Sequence, residues 1–282
     1  MRSIYIIIGM FLAAGLMSAQ PKNSYTPEDR LIFDRYLSYI KPYQHHSTDA
    51  LLEKTATFFL EKPYVAHTLE WTDEEMLVVN LRAFDCTTFV ETVIALTRTA
   101  RLDEPSFDSF LAELQKIRYR HAVIDGYASR LHYTTDWVYE NEQNHHVKNV
   151  SAALGGTKQE KQIGFMSSHR AAYKHLKTND ASWQKIVSLE DEINLRGGFD
   201  FLPNANISIT EPLIPHMAMI GFVTTIKGLD ISHVGFAFQK EGLTTFIHAS
   251  SARKKVVIDE KTLSDYCNGQ QSCSGILVVE VM

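Results

Sequence analysis

The chain has 282 residues and a formal charge of −5 at neutral pH. Hydrophobic residues make up 45% and charged residues 22%, which is a globular composition and excludes wholesale disorder, a collagen-like repeat and a multi-span membrane protein. The acidic balance argues against a general nucleic-acid binder, which carries a basic excess. The three cysteines are an odd number, so at least one thiol stands outside any intramolecular bridge.

Arg2, an apolar run from Ile4 to Leu16 and a small residue at Ala19 read as a secretory signal peptide over residues 1–19. A short membrane anchor is the alternative, but the run is shorter than the roughly 20 residues a spanning helix needs. The rest of the chain is therefore expected to be exported, most simply to the periplasm. There it would have no integral membrane association, and a disulfide is permitted. Residues 31–40 and 51–60 have helical periodicity, with Thr48 or Asp49 placed to cap the second. Pro63 ends that helix. Asp73-Glu74-Glu75 suits the first turn of a helix leading to Leu81, and the next helix opens at Asp85 and runs to about Ala100. Residues 101–215 are mixed, with a Gly155-Gly156 turn and helical stretches around 168–176 and 183–193. From about Met217 the pattern changes to strands at 217–225, 231–239, 243–249 and 254–258, with a closing strand at 275–281. Helices followed by strands predict an α+β fold. The doublets His45-His46 and His145-His146 read as solvated loop residues.

Asp85 can act as an N-cap, which places Cys86 at the first helical position. Phe89, Val90, Val93, Ile94 and Leu96 follow at helical spacing, so the thiol sits at the open end of an apolar stripe. A helix N-terminus favours negative charge and would stabilise a thiolate. A buried cysteine serving as a small hydrophobe fits the same residues.

The segment from Ser232 to Phe238 alternates strictly. Val234, Phe236 and Phe238 form the core face, and His233, Gly235 and Ala237 form a face small enough for a helix to approach. A turn at Gln239–Gly242 leads to Thr245–Ser250. If Gln239 opposes Gly242 in an antiparallel hairpin, His233 opposes His248 directly, with Cβ atoms about 5 Å apart. A thiol facing two paired imidazoles is a nucleophile, a base and an orienting group. Two sheet histidines with local hydrogen bonds, or a zinc site built from Cys/His/His, are the other readings. No CxxC or HExxH spacing accompanies the set, and neither a metal nor a cofactor is expected.

Four segments carry a family resemblance: Pro63-Tyr64-Val65-Ala66, Phe84-Asp85-Cys86-Thr87, His233-Val234-Gly235-Phe236 and Ile247-His248-Ala249-Ser250. Together they resemble the NlpC-like superfamily of cell-wall cysteine peptidases. Asn80-Leu81-Arg82, Arg118-Tyr119-Arg120, Ser129–Tyr133 with Asp136-Trp137, and Gly228–His233 are similar to its N-acetylmuramoyl-L-alanine amidase-like branch. The likeness spans about residues 50–281. It implies a papain-like core in which the cysteine helix packs on an antiparallel sheet, with a long insertion between Cys86 and His233. It also implies hydrolysis of the amide between N-acetylmuramic acid and L-alanine in muropeptides, with anhydro-muropeptides the expected form. By the same resemblance Cys86 is the nucleophile, His233 the base, His248 the third member, and Tyr64 a residue near the oxyanion. Asp85 and Ser232 flank those motifs and count among the oxyanion and substrate candidates. His67 and Met217-Ala218 depart from the family pattern, which has glycine at the first position and Gly-Asp at the second.

The expected layout is one catalytic domain over 20–282, with a core at about 50–100 and 215–282 and a substrate-shaping insertion at about 101–214. The insertion concentrates Arg118, Tyr119, Arg130, His132 and Tyr133 as candidates to hold muropeptide carboxylates and sugar faces. Packing of the insertion onto the core explains such residues equally well. Cys267 and Cys273 enclose a polar turn and permit a local disulfide, though two free thiols are compatible with the spacing. A monomer acting on a muropeptide or peptidoglycan fragment is expected. A γ-D-glutamyl–diamino acid endopeptidase and a non-catalytic wall-binding module are the rival functions.

Overall fold

In the computed structural model, residues 23–282 are described, so the expected signal peptide lies outside the described residues. Strand β1 (Asn23–Ser24) precedes α1 (Pro27–Ile40) and α2 (Thr48–Phe58), and pairs in parallel with β2 (Leu77–Val78). Asp29 fixes this N-terminal layer to the segment before Cys86. Its buried carboxylate accepts the Thr26 N–H at 2.8 Å, the Leu81 N–H at 2.8 Å and Arg82 Nε at 3.2 Å. The helix expected from Asp73 to Leu81 does not form. Glu75 instead turns inward to Tyr119 and Arg130, and the residues after it are extended against β1.

Helix α3 (Cys86–Ala100) is buried on nearly every side. Helix α4 (Phe107–Arg118), capped by Ser106, lies against it through Phe107, Phe110, Leu114 and Ile117. The insertion continues with α5 (Thr134–Gln143), β3 (Val147–Asn149), β4 (Thr157–Gln159), α6 (Phe165–Ser168), α7 (Lys174–Lys177), α8 (Asp180–Leu195), β5 (Phe199–Pro203) and α9 (Asn204–Thr210). The last part comprises β6 (Met219–Thr224), β7 (Ile231–Lys240), β8 (Leu243–Ser250), β9 (Lys255–Ile258), α10 (Leu263–Asn268) and β10 (Cys273–Val281).

These strands form one antiparallel sheet in the order β4-β5-β10-β6-β7-β8-β9, with β3 also paired to β10. The strands of the insertion therefore extend the same sheet as the C-terminal strands. One layer of the core joins α1–α4 to Val234, Phe236, Ile247 and Val256. A second joins Ile220, Phe222, Ala237 and Phe246 to α9 and α10. A third, around Tyr133, Met166, Leu176 and Ile186, is internal to the insertion.

The β7–β8 register differs from the expected one. Lys240 pairs with Leu243, and Phe236 with Ile247, around a two-residue turn at Glu241-Gly242. Both turn residues have positive φ (52° and 82°), the geometry that matches strand twist in tight hairpins. His248 consequently lies level with Gly235 rather than His233. The slip is two positions along the sum of paired numbers, so both histidines keep the same face. The helix carrying Cys86 packs on the opposite face, among Val234 and Phe236, and not on the small-residue face expected to receive it.

His67 and Met217 both adopt positive φ (61° and 59°), so the two departures from the family pattern occupy left-handed positions that favour glycine. His146 is buried with Nδ1 3.1 Å from Asn141 Oδ1, which corrects its reading as a solvated residue; His45 and His46 are exposed. Cys267 and Cys273 form a disulfide between α10 and β10, with Cα atoms 5.3 Å apart. Among the described residues no helix is long and apolar enough to cross a membrane.

Candidate active site

Cys86 opens α3 because Asp85 caps it. Asp85 Oδ1 accepts the Thr88 N–H at 2.8 Å, and Thr88 Oγ1 accepts the Asp85 N–H at 3.0 Å. This reciprocal box engages Asp85 Oδ1, so Asp85 shapes the helix end, and an ionised carboxylate, which only accepts, has no proton to give an oxyanion. Cys86 is the one free cysteine among the described residues and keeps a partial opening to solvent. Its thiol is nonetheless pushed up to about 11, first by burial and then by the adjacent Asp85 charge. The Val234 and Thr87 N–H groups and the Thr87 hydroxyl oppose that shift and do not overcome it. The thiol is therefore neutral at rest: burial, and after it the charge of the capping carboxylate, outweigh the stabilisation that the helix end offers a thiolate.

The Val234 N–H that meets Cys86 is the next residue along β7 from His233. His233 Nε2 lies 2.6 Å from His248 Nδ1, and His248 Nε2 lies 3.2 Å from Asp259 Oδ2. Phe222, Phe246 and Tyr266 pack round the pair, with the Tyr266 ring centroid 6.0 Å from each imidazole. Burial, and then the neighbouring His248, push His233 down to about 3, so it is neutral at physiological pH. Gly235 makes the cross-strand approach possible. A Cβ there would meet Ile247 O at 2.8 Å, His248 Cβ at 2.9 Å and Phe246 Cδ2 at 3.0 Å. Gly235→Ala is expected to cost about 1–3 kcal/mol of stability, by overpacking. It should also move His248, lowering kcat more than KM. Thermal unfolding and steady-state kinetics on one preparation check both effects.

Tyr64 is held beside this group by backbone bonds. Its N–H donates to Lys254 O at 2.8 Å, and the flanking Phe84 and Val65 N–H groups bond Pro63 O and Phe84 O. Its hydroxyl is raised by burial and by the acidic groups of Cys86 and Asp85, so it remains a proton donor. Ser232 is exposed, with Oγ donating to Phe222 O at 3.3 Å where β6 and β7 slip register.

The other proposed substrate residues do not gather here as free ligands. Arg118 is buried, with Nε on Glu91 at 2.7 Å and Nη1 on Val78 O at 2.6 Å. Tyr119 donates to Glu75, Arg130 pairs with Glu70 and Glu75, and Tyr133 donates to Glu190. Each is bonded to a partner within the chain, the arrangement that packing of the insertion onto the core requires. His132 is also internally bonded, with Nε2 2.7 Å from Tyr127 O, and burial and then Arg130 push it down to about 3. It lines a small cavity with Thr87, Glu91, Trp137 and Val234. Asp259 and Tyr266 were not marked by the sequence. A cleft of about 290 Å³ opens beside both, walled by Ser250, Arg253, Lys261 and Gln270. Among the described residues no group of three or more His, Cys, Asp or Glu is placed to hold a metal ion.

A family model described as N-acetylmuramoyl-L-alanine amidase-like matches residues 54–276, most of the chain. The chain belongs to the N-acetylmuramoyl-L-alanine amidase-like family. Among solved structures, this amidase-like chain is similar to an N-acetylmuramoyl-L-alanine amidase from Bacteroides uniformis. The two are 35% identical with a TM-score of 0.78, over 83% of this chain and 99% of the other. A Bacteroides fragilis protein provisionally named a xylanase is 34% identical, with a TM-score of 0.74 over 80% of this chain and 98% of the other. A Legionella pneumophila protein at 22% identity and TM-score 0.66 shares the fold, over 89% of this chain and 96% of that one. No curated protein matches the sequence significantly. The family and the Bacteroides uniformis structure support a cell-wall amidase, an enzyme that hydrolyses peptidoglycan amide bonds. A glycosidase of the usual kind requires two carboxylates flanking its bond, whereas this site centres on a thiol and two imidazoles.

Proposed function

We propose that this amidase-like chain is an exported cysteine amidase with a papain-like core. It would cut the bond between N-acetylmuramic acid and L-alanine in muropeptides, with anhydro-muropeptides of wall turnover as the preferred substrates. The observation that carries the reading is the hydrogen-bonded His233–His248–Asp259 chain, beside a helix-capped cysteine whose sulphur meets the next backbone N–H along β7.

With both groups neutral, reaction begins by proton transfer. His233 Nδ1 takes the thiol proton as Cys86 Sγ attacks the lactyl carbonyl carbon. The carbonyl oxygen becomes an oxyanion, facing the Cys86 N–H and the Tyr64 hydroxyl as donors. The C–N bond breaks as the imidazolium returns its proton to the alanine nitrogen, which frees the stem peptide. Water, deprotonated by His233, then cleaves the thioester. This releases the muramyl carboxylic acid and restores the thiol.

Digestion of purified muropeptides, followed by mass spectrometry, tests the reading. Wild type is expected to give disaccharide plus intact stem peptide, and Cys86→Ala neither. Equal release by both proteins would overturn the mechanism. Products cut within the stem would mark the endopeptidase instead, and no cleavage by wild type would leave the wall-binding module.

A further inference from the structure

We infer that Asp259 is a positioning residue, which sets the proton positions on both histidines and thereby makes His233 Nδ1 the basic atom. The inference rests on the cysteine-amidase reading for its kinetic consequences but not for its structural ones. It starts from the hydrogen-bonding capacity of each atom. An ionised carboxylate only accepts. Asp259 is held in that form below the usual carboxylate range: burial works against ionisation, and hydrogen bonds from His248 and the Lys261 and Glu260 N–H groups outweigh it. His248 must therefore carry its proton on Nε2, which faces Asp259 Oδ2 at 3.2 Å. With a single proton on the ring, Nδ1 is then a lone pair. The 2.6 Å contact to His233 requires a donor, so the His233 proton sits on Nε2. The lone pair of His233 is left on Nδ1. Neither histidine could set this order without the carboxylate, because a pair of imidazoles is equally well bonded with both protons moved to the other nitrogens.

The segment around Asp259 is built to hold the carboxylate still. Its N–H donates to Phe246 O at 2.9 Å, and the Thr245 hydroxyl lies 2.6 Å from Asp259 O and 2.7 Å from Lys261 O. Oδ1 accepts the Lys261 N–H at 2.9 Å. That last bond also fixes what an amide would do. In Asp259→Asn the amide oxygen takes the Lys261 N–H, and the NH2 group faces His248 Nε2. His248 then carries its proton on Nδ1, His233 accepts at Nε2, and a proton occupies His233 Nδ1. The base is blocked while the fold is kept. Asp259→Ala removes the acceptor without supplying a donor, so it permits both arrangements.

The test measures kinetics on muropeptides alongside nitrogen-15 NMR of the histidine side chains in substrate-free protein. Asp259→Asn is expected to lower kcat at least about 100-fold, as a wrong tautomer does in a serine-protease triad, with KM within about threefold of wild type. Asp259→Ala is expected to lose less than Asp259→Asn, an order that a merely structural role would not produce. The spectra should show both protons on Nε2 in wild type and on Nδ1 in Asp259→Asn. Unchanged protonation in Asp259→Asn, a kcat within threefold of wild type, or a larger loss in Asp259→Ala overturns the inference. Failure of the amidase reading shows separately, as a wild type that releases no peptide, and leaves the spectra to decide the tautomers.

Discussion

Arg118→Ala is expected to unfold about 10 °C below wild type while the folded enzyme keeps its KM. Arg118 ends α4, and its guanidinium and the Glu91 carboxylate on α3 are only 2% and 3% exposed. Burial raises the Glu91 carboxyl, and Arg118 is the main influence opposing it. Removing the guanidinium leaves a buried acid without its bonded counter-charge and leaves Val78 O without its donor. Breaking a buried pair from one side costs about 3–5 kcal/mol, which in a domain of this size lowers the melting temperature by about 2–4 °C per kcal/mol. Arg118→Met combined with Glu91→Leu removes both charges and fills the space with apolar atoms. That double variant is expected to recover at least half of the lost stability. Calorimetry of the three proteins measures this, with substrate titration at a temperature where all are folded. A KM raised tenfold in Arg118→Ala, with an unchanged melting temperature, would return Arg118 to the role of a substrate ligand.

Arg118 also shows where the sequence stops being informative. An arginine beside a tyrosine is the same local pattern whether its carboxylate belongs to a ligand or to Glu91, 27 positions earlier in the chain. The same holds for Tyr119 and Tyr133, whose partners Glu75 and Glu190 lie 44 and 57 positions away. Helix α4 was legible in principle, with a serine cap and phenylalanines and leucines at helical spacing, but the aromatic and basic residues that follow it masked the pattern. The histidine pair was readable despite a wrong register, because strand faces alternate with period two and the slip was even. Cys86 was readable because its cap is local. Asp259 was not: it follows an ordinary strand end, and only the pairing of β8 with β9 brings it to His248. The protonation state of the thiol is not legible in the sequence, for an energetic reason. The helix end visible in the sequence is a smaller influence than burial, which depends on residues throughout the fold.

That protonation state predicts a wide separation between the chemical reactivity of Cys86 and its catalytic use. A thiol pushed up to about 11 is ionised in roughly one molecule in ten thousand at pH 7. Alkylation by iodoacetamide, which consumes thiolate, is expected to be slow there. It should accelerate tenfold per pH unit and level off near pH 11. Hydrolysis follows a different dependence. It needs His233 unprotonated and Cys86 protonated, so that the proton moves only as the carbon–sulphur bond forms. With His233 pushed down to about 3, the base is competent at every pH above that value and is lost as pH falls through it. The thiol proton is lost only as pH rises through about 11. The rate of hydrolysis is therefore expected to be flat from about pH 5 to pH 9, across the range where alkylation changes by about four orders of magnitude. A pre-formed thiolate–imidazolium pair would behave oppositely, with fast alkylation on a plateau that begins in acid and a bell-shaped hydrolysis profile. Both profiles, measured on one preparation with Cys86→Ala as the blank, distinguish the two. Fast, pH-independent labelling at pH 5 would show that the ion pair forms despite burial and the Asp85 charge. Weak labelling at pH 7 is accordingly no sign of an idle site: a neutral thiol beside a neutral base is the form from which this geometry would start the reaction.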